Sequence, residues 1–542
     1  MALLDYFPEE FKPHSQQIEL LNKIDEAFNE GYNFVICCAP TGSGKSFLSK
    51  TLANVSSNVS ERFKELIDSN SAFKLDNYGD FIKKEDCLNE KTFGAFALTI
   101  TKSLQDQYTN LFDDSKALKG KSNYLCNVDP KYDVDVAPCL FAKGLKEKCI
   151  LNSTCDYYNS RRNMLTSKFG VLNYSMYLSL PEHVRRREYI ICDEASEIED
   201  ELVKRFSRYL PYKLLKRLGY TPKDVPVENY SRFKIWLDNL VLKIGDEVDD
   251  LKKSLGKKKA KAEMDSEIQR FKLFNNLLRQ MRSTLDTWKE CEYVIENNLD
   301  GVTLKPLRVD KLAKHIFDYG DKNLLMSATI IDPDNFAKTL GIKKFKYIEV
   351  DSTFDPKNAP IYIATTTKLN YKNLKENLPK IKDTIKKICD THGHQKGIIH
   401  THTNEITQYL KEHLGDDPRY LFRLDGADNE KILKLHIEST EPTVLISPSM
   451  SYGVDLKEDL ARFQVVIKAA YMPLYDERIK RLFKEDKDWY TNKMLNNLIQ
   501  ACGRGVRSKE DKCITYILDG AISDAVIRNV KKLPKYFIKR FV

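Results

Sequence analysis

Two parallel-sheet α/β units in tandem are the fold class the sequence predicts, and three observations carry that reading. Short apolar runs of strand length recur through residues 32–192 and again through 361–518. Each is followed by a polar or glycine-rich turn, then by helical periodicity. These runs end in residues suited to phosphate or metal, which is where ligands sit in such sheets. Two segments break the pattern and read as insertions: about 113–160, poor in strand signals, and about 198–305, helical and highly charged.

Composition bounds the answer. At 542 residues the chain spans roughly three to five structural units. Hydrophobic residues at 42% and charged residues at 30% exclude a disordered or fibrous protein. Lys+Arg 87 against Asp+Glu 78 gives +9, which fits a phosphate-backbone partner. No apolar run is long enough to span a bilayer. The opening Met1–Glu10 is acidic and lacks a secretory apolar core, so a cytoplasmic protein is expected. For twelve cysteines in such a chain, metal binding is a better expectation than a disulfide framework.

Taken in order, Tyr32–Cys38 is a buried strand that runs into a glycine-rich turn, and Phe47–Ala53 continues as a helix. Phe93–Ile100 is a second strand leading to Thr101–Ser103, and Glu188–Cys192 a third that ends in two acids. Within the helical insertion, the lysine-rich stretch 251–261 reads as a solvated turn between two long helices. After the Pro-containing crossing Phe354–Pro360, the second unit offers strands at Ile361–Ala364, Gly397–His400, Thr443–Ile446, Gln464–Ile467 and Cys513–Leu518.

The strongest motif is Ala39–Ser46, a phosphate-binding loop in which alanine replaces the first glycine. Thr41, Gly42, Ser43 and Gly44 let backbone N–H groups close around phosphates at a helix N-terminus. Lys45 then neutralises the β- and γ-phosphates of ATP, and the Ser46 hydroxyl ligates Mg²⁺. Asp193 and Glu194, delivered by a hydrophobic strand, are expected to hold the metal and to polarise the attacking water. A bare Asp-Glu after a strand is also a common helix cap; the phosphate loop is what favours the catalytic reading.

These motifs, with Gln17 upstream in the place of an adenine-reading glutamine, resemble the superfamily 2 helicases. Thr99–Gln107 looks like the strand-loop motif that touches a nucleic-acid backbone, and Ser327–Thr329 like the motif that couples hydrolysis to movement. Ile399–His402 resembles the backbone-contacting motif of a second motor domain. Gly453–Asp455 and Gln500–Arg507 resemble the last two motifs, with Asp455 at the nucleotide. Arg504 and Arg507 supply guanidinium groups to the γ-phosphoryl from the second unit, with Gln500 on the same catalytic face.

Cys126, Cys139, Cys149 and Cys155 resemble the iron–sulfur domain of the XPD/DinG branch of that superfamily. Four thiolates can hold a [4Fe–4S] cluster that pins a loop-rich insertion. By spacing alone the choice against zinc stays open, since four thiolates also make a tetrahedral site; the lack of a Cys-x-x-Cys pair and the flanking resemblance favour iron–sulfur. The other cysteines, such as Cys37, Cys38 and Cys192, read as core residues.

The resemblance implies two RecA-like motor domains. The first comprises 1–112, 161–197 and 306–350, with the iron–sulfur domain at 113–160 and a helical arch at 198–305 inserted in it; the second is 351–542. It also implies an ATP-dependent, 5′→3′ DNA helicase acting as a monomer on single-stranded and forked duplex DNA, with RNA–DNA hybrids open as a further partner. Thr101, Lys102 and Thr401 are expected at phosphates, and Lys119, Lys121 and Tyr124 near the point of strand separation. In 476–490, Trp489 and Tyr490 are expected to be packed rather than stacked on bases. The sequence departs from the family where Ser196 replaces a histidine after Asp-Glu-Ala, where Tyr452 replaces a glutamate, and where His14 replaces an arginine. A strand translocase without processive unwinding, or a binding scaffold with a decayed site, are the rival readings.

Overall fold

The computed structural model describes residues 2–40, 42–58, 93–141, 144–257, 261–370, 372–424, 428–448, 458–503, 505–506 and 511–542. Strands β1 (Phe34–Cys38), β2 (Ala95–Thr99), β3 (Lys116–Ala117), β4 (Phe169–Asn173) and β5 (Arg187–Asp193) belong to a first sheet. Next come β6 (Arg208–Pro211), β7 (Tyr293–Asn298) and β8 (Gly301–Pro306), which form a small sheet of their own. β9 (Gly320–Ser327) and β10 (Lys346–Glu349) return to the first sheet, whose order is β10-β1-β9-β5-β2-β4-β3, all parallel.

A second sheet holds β11 (Ile361–Thr367), β12 (Gly397–His400), β13 (Tyr420–Phe422), β14 (Val444–Ser447), β15 (Phe463–Val466) and β16 (Ile514–Asp519). Its order is β11-β16-β15-β12-β14-β13, again parallel throughout. Strands such as Ala95–Thr99 and Val444–Ser447 are buried along their whole length because helices cover both faces, so they are continuously apolar rather than alternating.

The register of the first sheet sets the chemistry. β1 is paired with β9 so that Cys38 lies opposite Ser327, and β5 with β9 so that Asp193 lies opposite Met326. The phosphate loop, Asp193–Glu194 and Ser327–Thr329 therefore leave the same carboxyl edge side by side.

The predicted strands all form, their ends matching or shifted by a residue or two, except that Ile361–Ala364 extends three residues further, to Thr367. Two corrections come from the inserted segments. Residues 198–305 are not wholly helical. The helices Tyr230–Lys257 and Lys261–Thr287 do form a long antiparallel pair, with Phe233, Leu237, Leu240 and Ile244 buried against Phe271, Phe274 and Met281. The turn expected between them, at 258–260, lies outside the described residues. At their base stands the antiparallel sheet β6-β8-β7. Helical reading missed it because β6 finds its partner some 90 residues away, and the Leu299–Asp300 turn before Gly301 is the one local hint of the β7–β8 hairpin. In 113–160, β3 pairs in parallel with β4, so the first sheet reaches Ala117; the other described residues are irregular chain with an antiparallel bridge Leu125–Asp133, short helical turns and helices.

Trp489 and Tyr490 are packed as expected, with 5% and 8% exposure. Among the described residues no helix is long and apolar enough to cross a membrane.

Candidate functional site

Gly42 and Gly44 adopt left-handed backbone, φ +82° and +74°, which residues with a Cβ avoid. This curls the loop over the N-terminus of the helix Lys45–Val55. The Ser43 hydroxyl is buried there with no hydrogen-bond partner among the described residues, a donor left over for a ligand oxygen. Thr41 lies outside the described residues. Gln17 is 3% exposed; its Oε1 accepts the His14 N–H at 3.0 Å, and its amide nitrogen lies against Gly44, where a Cβ would come within 2.0 Å. The glutamine thus braces the loop from below.

Lys45 Nζ donates to the Ala39 carbonyl at 3.5 Å and lies 3.8 Å from Glu194 Oε1. Asp193 is buried, accepting from its neighbour's N–H (Glu194) at 3.0 Å and from the Tyr108 hydroxyl at 3.3 Å. Burial pushes the Asp193 carboxyl up to about 6, and the Lys45 ammonium works against that rise. Tyr108 in turn meets Ser49 Oγ at 3.0 Å and the Ser46 hydroxyl. Ser46 and Asp193 thus face one another across a tyrosine, a hard-oxygen pair suited to Mg²⁺. Glu194 itself has φ +52°, strain of the kind that persists where surrounding structure imposes it.

From Glu194 a polar chain leads to the second lobe. Ser327 Oγ lies 3.5 Å from Glu194 Oε2, 3.0 Å from Ser196 Oγ and 3.3 Å from Thr329 Oγ1. The Gln500 amide, on the helix Lys487–Cys502, reaches Thr329 Oγ1 at 3.4 Å. Arg504, Arg507 and Asp455 lie outside the described residues. Their neighbour Val506 is packed with Phe354, whose ring covers Gly42 so closely that a Cβ would approach it to 2.5 Å. Val506, a described residue of the last motif, is thus separated from the phosphate loop by the Phe354 ring. Sequence reasoning named Ser43 for its backbone and missed Phe354 and Tyr108; Phe354 stands in the crossing between lobes and carries no motif of its own.

The four cysteines come together in one neighbourhood. Cys139 is pushed up to about 11, chiefly by burial and then by the thiols of Cys126, Cys149 and Cys155. All described cysteines are free. Backbone N–H groups of Tyr157 and Tyr158, at the start of the helix Asp156–Thr166, point at the Cys155 sulfur. Among the described residues no three His, Cys, Asp or Glu side chains are arranged as a finished metal cage. The four thiols are near enough to influence one another, and of them Cys155 has backbone N–H groups aimed at its sulfur, which suits a charged thiolate.

The nucleic-acid candidates are scattered more unevenly. Thr101 caps the helix Lys102–Leu111, and Lys102 is exposed with its ammonium on Asn123 at 2.6 Å. Lys119 pairs with Asp106 at 2.6 Å. Lys121 stands 5.6 Å over the Tyr157 ring, and Tyr124 packs edge-on against the same ring at 5.5 Å. The Lys121 ammonium is pushed down to about 8 by burial and then by Lys146, Arg279 and Arg161, with Asp135 opposing. This is a convergence of cations from three parts of the chain. Thr401 is the correction: it is fully buried, its hydroxyl 2.6 Å from Thr407 and 3.3 Å from the Thr403 carbonyl, so it shapes the turn and offers no hydroxyl to a phosphate.

Residues 400–539 match the family of helicase C-terminal domains. Across the whole chain the structure is similar to one titled XPD_Helicase: TM-score 0.59, 15% identity, 96% of this chain and 98% of that one covered. It is also similar to S. tokodaii Xpd4 (TM-score 0.56, 16% identity, 95% and 97% covered) and to XPD_APO (0.55, 15%, 95% and 98%). No curated protein matches the sequence. At such identities the structural likeness is one of fold, and it extends over both lobes and both insertions.

Proposed function

We propose, for a chain with the fold of an XPD-like superfamily 2 helicase and a helicase C-terminal domain, that it hydrolyses ATP to drive itself along single-stranded DNA and unwind duplex. One observation carries this reading: hydrogen bonds link Glu194 through Ser327 and Thr329 to Gln500 of the second lobe. A nucleotide site wired to both lobes converts hydrolysis into relative movement.

In this reading the loop N–H groups and the Ser43 hydroxyl hold phosphate oxygens, and Lys45 leaves Glu194 to neutralise the β- and γ-phosphates. Ser46 and Asp193 would hold Mg²⁺, which supplies charge neutralisation across those phosphates. Glu194, released from Lys45, orients the attacking water and accepts its proton. Arg504 and Arg507 meet charge developing on the transferred phosphoryl from the other side, and the position of Val506 beside Phe354 supports this. When the product leaves, Ser327 relays the change at Glu194 to Thr329 and Gln500.

Cys126, Cys139, Cys149 and Cys155 would hold a [4Fe–4S] cluster whose role is to pin the loop-rich insertion. Lys121, Lys146 and Arg279, close enough to repel one another, would meet a strand's phosphates, with the buried Arg161 behind them. The direction 5′→3′, DNA as the preferred strand and a monomeric state rest on the family resemblance.

ATP turnover measured with and without single-stranded DNA, beside unwinding of 5′- and 3′-tailed duplexes, tests the proposal. Stimulated turnover with unwinding of the 5′-tailed fork is expected. No turnover refutes a motor, and turnover without unwinding makes the chain a translocase.

A further inference from the structure

Five residues beyond Glu194, on the helix Ile198–Phe206, Glu199 is buried with three partners, and all of them come from the second lobe. Arg478 Nη2 donates to Oε1 at 2.8 Å, while Lys493 Nζ and Trp489 Nε1 both reach Oε2 at 2.9 Å. Arg478 belongs to the helix Glu477–Glu485; Trp489 and Lys493 belong to the helix that carries Gln500. Neither motif reasoning nor the hydrolysis chemistry calls for a carboxylate here.

The same guanidinium also serves the inserted sheet, its Nε donating to the Pro306 carbonyl at 2.8 Å. Around it the contacts continue between the insertion and the second lobe. Lys305 pairs with Asp476 at 2.5 Å, the Glu477 N–H donates to Glu296 at 2.7 Å, and Arg481 reaches Glu292 at 2.7 Å. Beneath them Val294 and Leu307 share one apolar cluster with Ile479, Leu482, Trp489 and Tyr490. The base of the long-helix insertion is thus fastened to the second lobe, although the chain inserts it into the first.

We propose that Glu199, on a helix whose Ile198, Leu202 and Phe206 pack in the first lobe's core, is a positioning residue that ties that lobe to the helices Glu477–Glu485 and Lys487–Cys502 beside the insertion's base, so that closure of the nucleotide cleft pivots at this node and is transmitted to the insertion. A buried carboxylate with every partner in place resists stretching, because losing one leaves a desolvated charge uncompensated. Such a node is intact or broken, which is what a rigid link requires. It also supplies the cross-lobe tie near position 196, where the serine side chain reaches only as far as Ser327. The proposal rests on the nucleotide-driven motor described above.

Hydrogen exchange of the full-length protein, with and without AMP-PNP and Mg²⁺, tests it. In the wild type, nucleotide should slow exchange at the loop 42–46 and also change exchange along 293–306. Glu199→Gln should keep the loop response and lose that of 293–306. In the same variant, strand-stimulated kcat should fall by about tenfold with KM for ATP unchanged. Lys305→Gln, at a partly buried partner of Asp476 and Glu296, should weaken the 293–306 response without touching Glu199, and serves if the first variant does not fold. A wild-type response confined to the loop overturns this proposal alone, as does a Glu199→Gln variant that responds and turns over like the wild type. No response at 42–46 in the wild type overturns it together with the motor reading.

Discussion

Replacing Gly44 by alanine strikes the phosphate loop twice, and the two costs can be separated. The backbone there is left-handed, φ +74°, which costs a residue with a Cβ about 1–2 kcal/mol. The new methyl would also stand 2.0 Å from the Gln17 amide nitrogen, so that side chain must give way. Gln17 is held by the His14 N–H at 3.0 Å, a hydrogen bond whose loss costs roughly 1 kcal/mol. Together these come to about 2–3 kcal/mol. If the free loop relaxes and must be re-strained to bind, nucleotide affinity falls on the order of 30- to 150-fold. Titration of a fluorescent ATP analogue into Gly44→Ala, Gln17→Ala and the double variant isolates the contact. The double variant should bind about fivefold better than the two single effects predict, because the steric part vanishes with the glutamine. Wild-type affinity in Gly44→Ala, or strict additivity in the cycle, would refute the loop geometry described here.

Other perturbations address the remaining parts of the site. Lys45→Ala should abolish ATP turnover while leaving single-strand affinity within about twofold of wild type, since a phosphate-loop lysine acts on nucleotide alone; fluorescence anisotropy with a labelled oligonucleotide checks the second half. Cys149→Ser should remove brown absorbance and iron from anaerobically purified protein and abolish unwinding, with basal turnover retained; stoichiometric zinc in the wild type would disprove the cluster. The Lys121 ammonium, held down to about 8 by burial and by Lys146, Arg279 and Arg161, binds phosphate only when protonated. Affinity for a single strand should therefore decline as pH rises through about 8, and Lys121→Gln should flatten that decline; identical pH profiles would show that Lys121 makes no such contact.

Much of the fold was legible because buried parallel strands announce themselves. Gly397–His400 is bounded by sequence and structure at the same residues, and Phe34–Cys38 runs straight into its loop. The insertion's sheet was not legible, since β6 and β8 pair across some 90 residues of chain, a distance no local pattern encodes. Thr401 fell to the same limit. A threonine after a strand reads the same whether its hydroxyl faces a phosphate or, as here, Thr407.

The sequence by itself determined what chemistry is available: the glycines that permit a curled loop, the lysine and two acids that follow strands, and four thiols in one inserted segment. Those are choices of side chain and local backbone, and neighbours in the chain suffice to specify them. Which groups meet across the cleft was decided only by the tertiary structure. It brought Phe354 over Gly42, joined Thr329 to Gln500, and gave Glu199 three partners from another lobe. Burying a charge is tolerable only where its counter-charges arrive together, and their arrival depends on how the sheets and insertions dock.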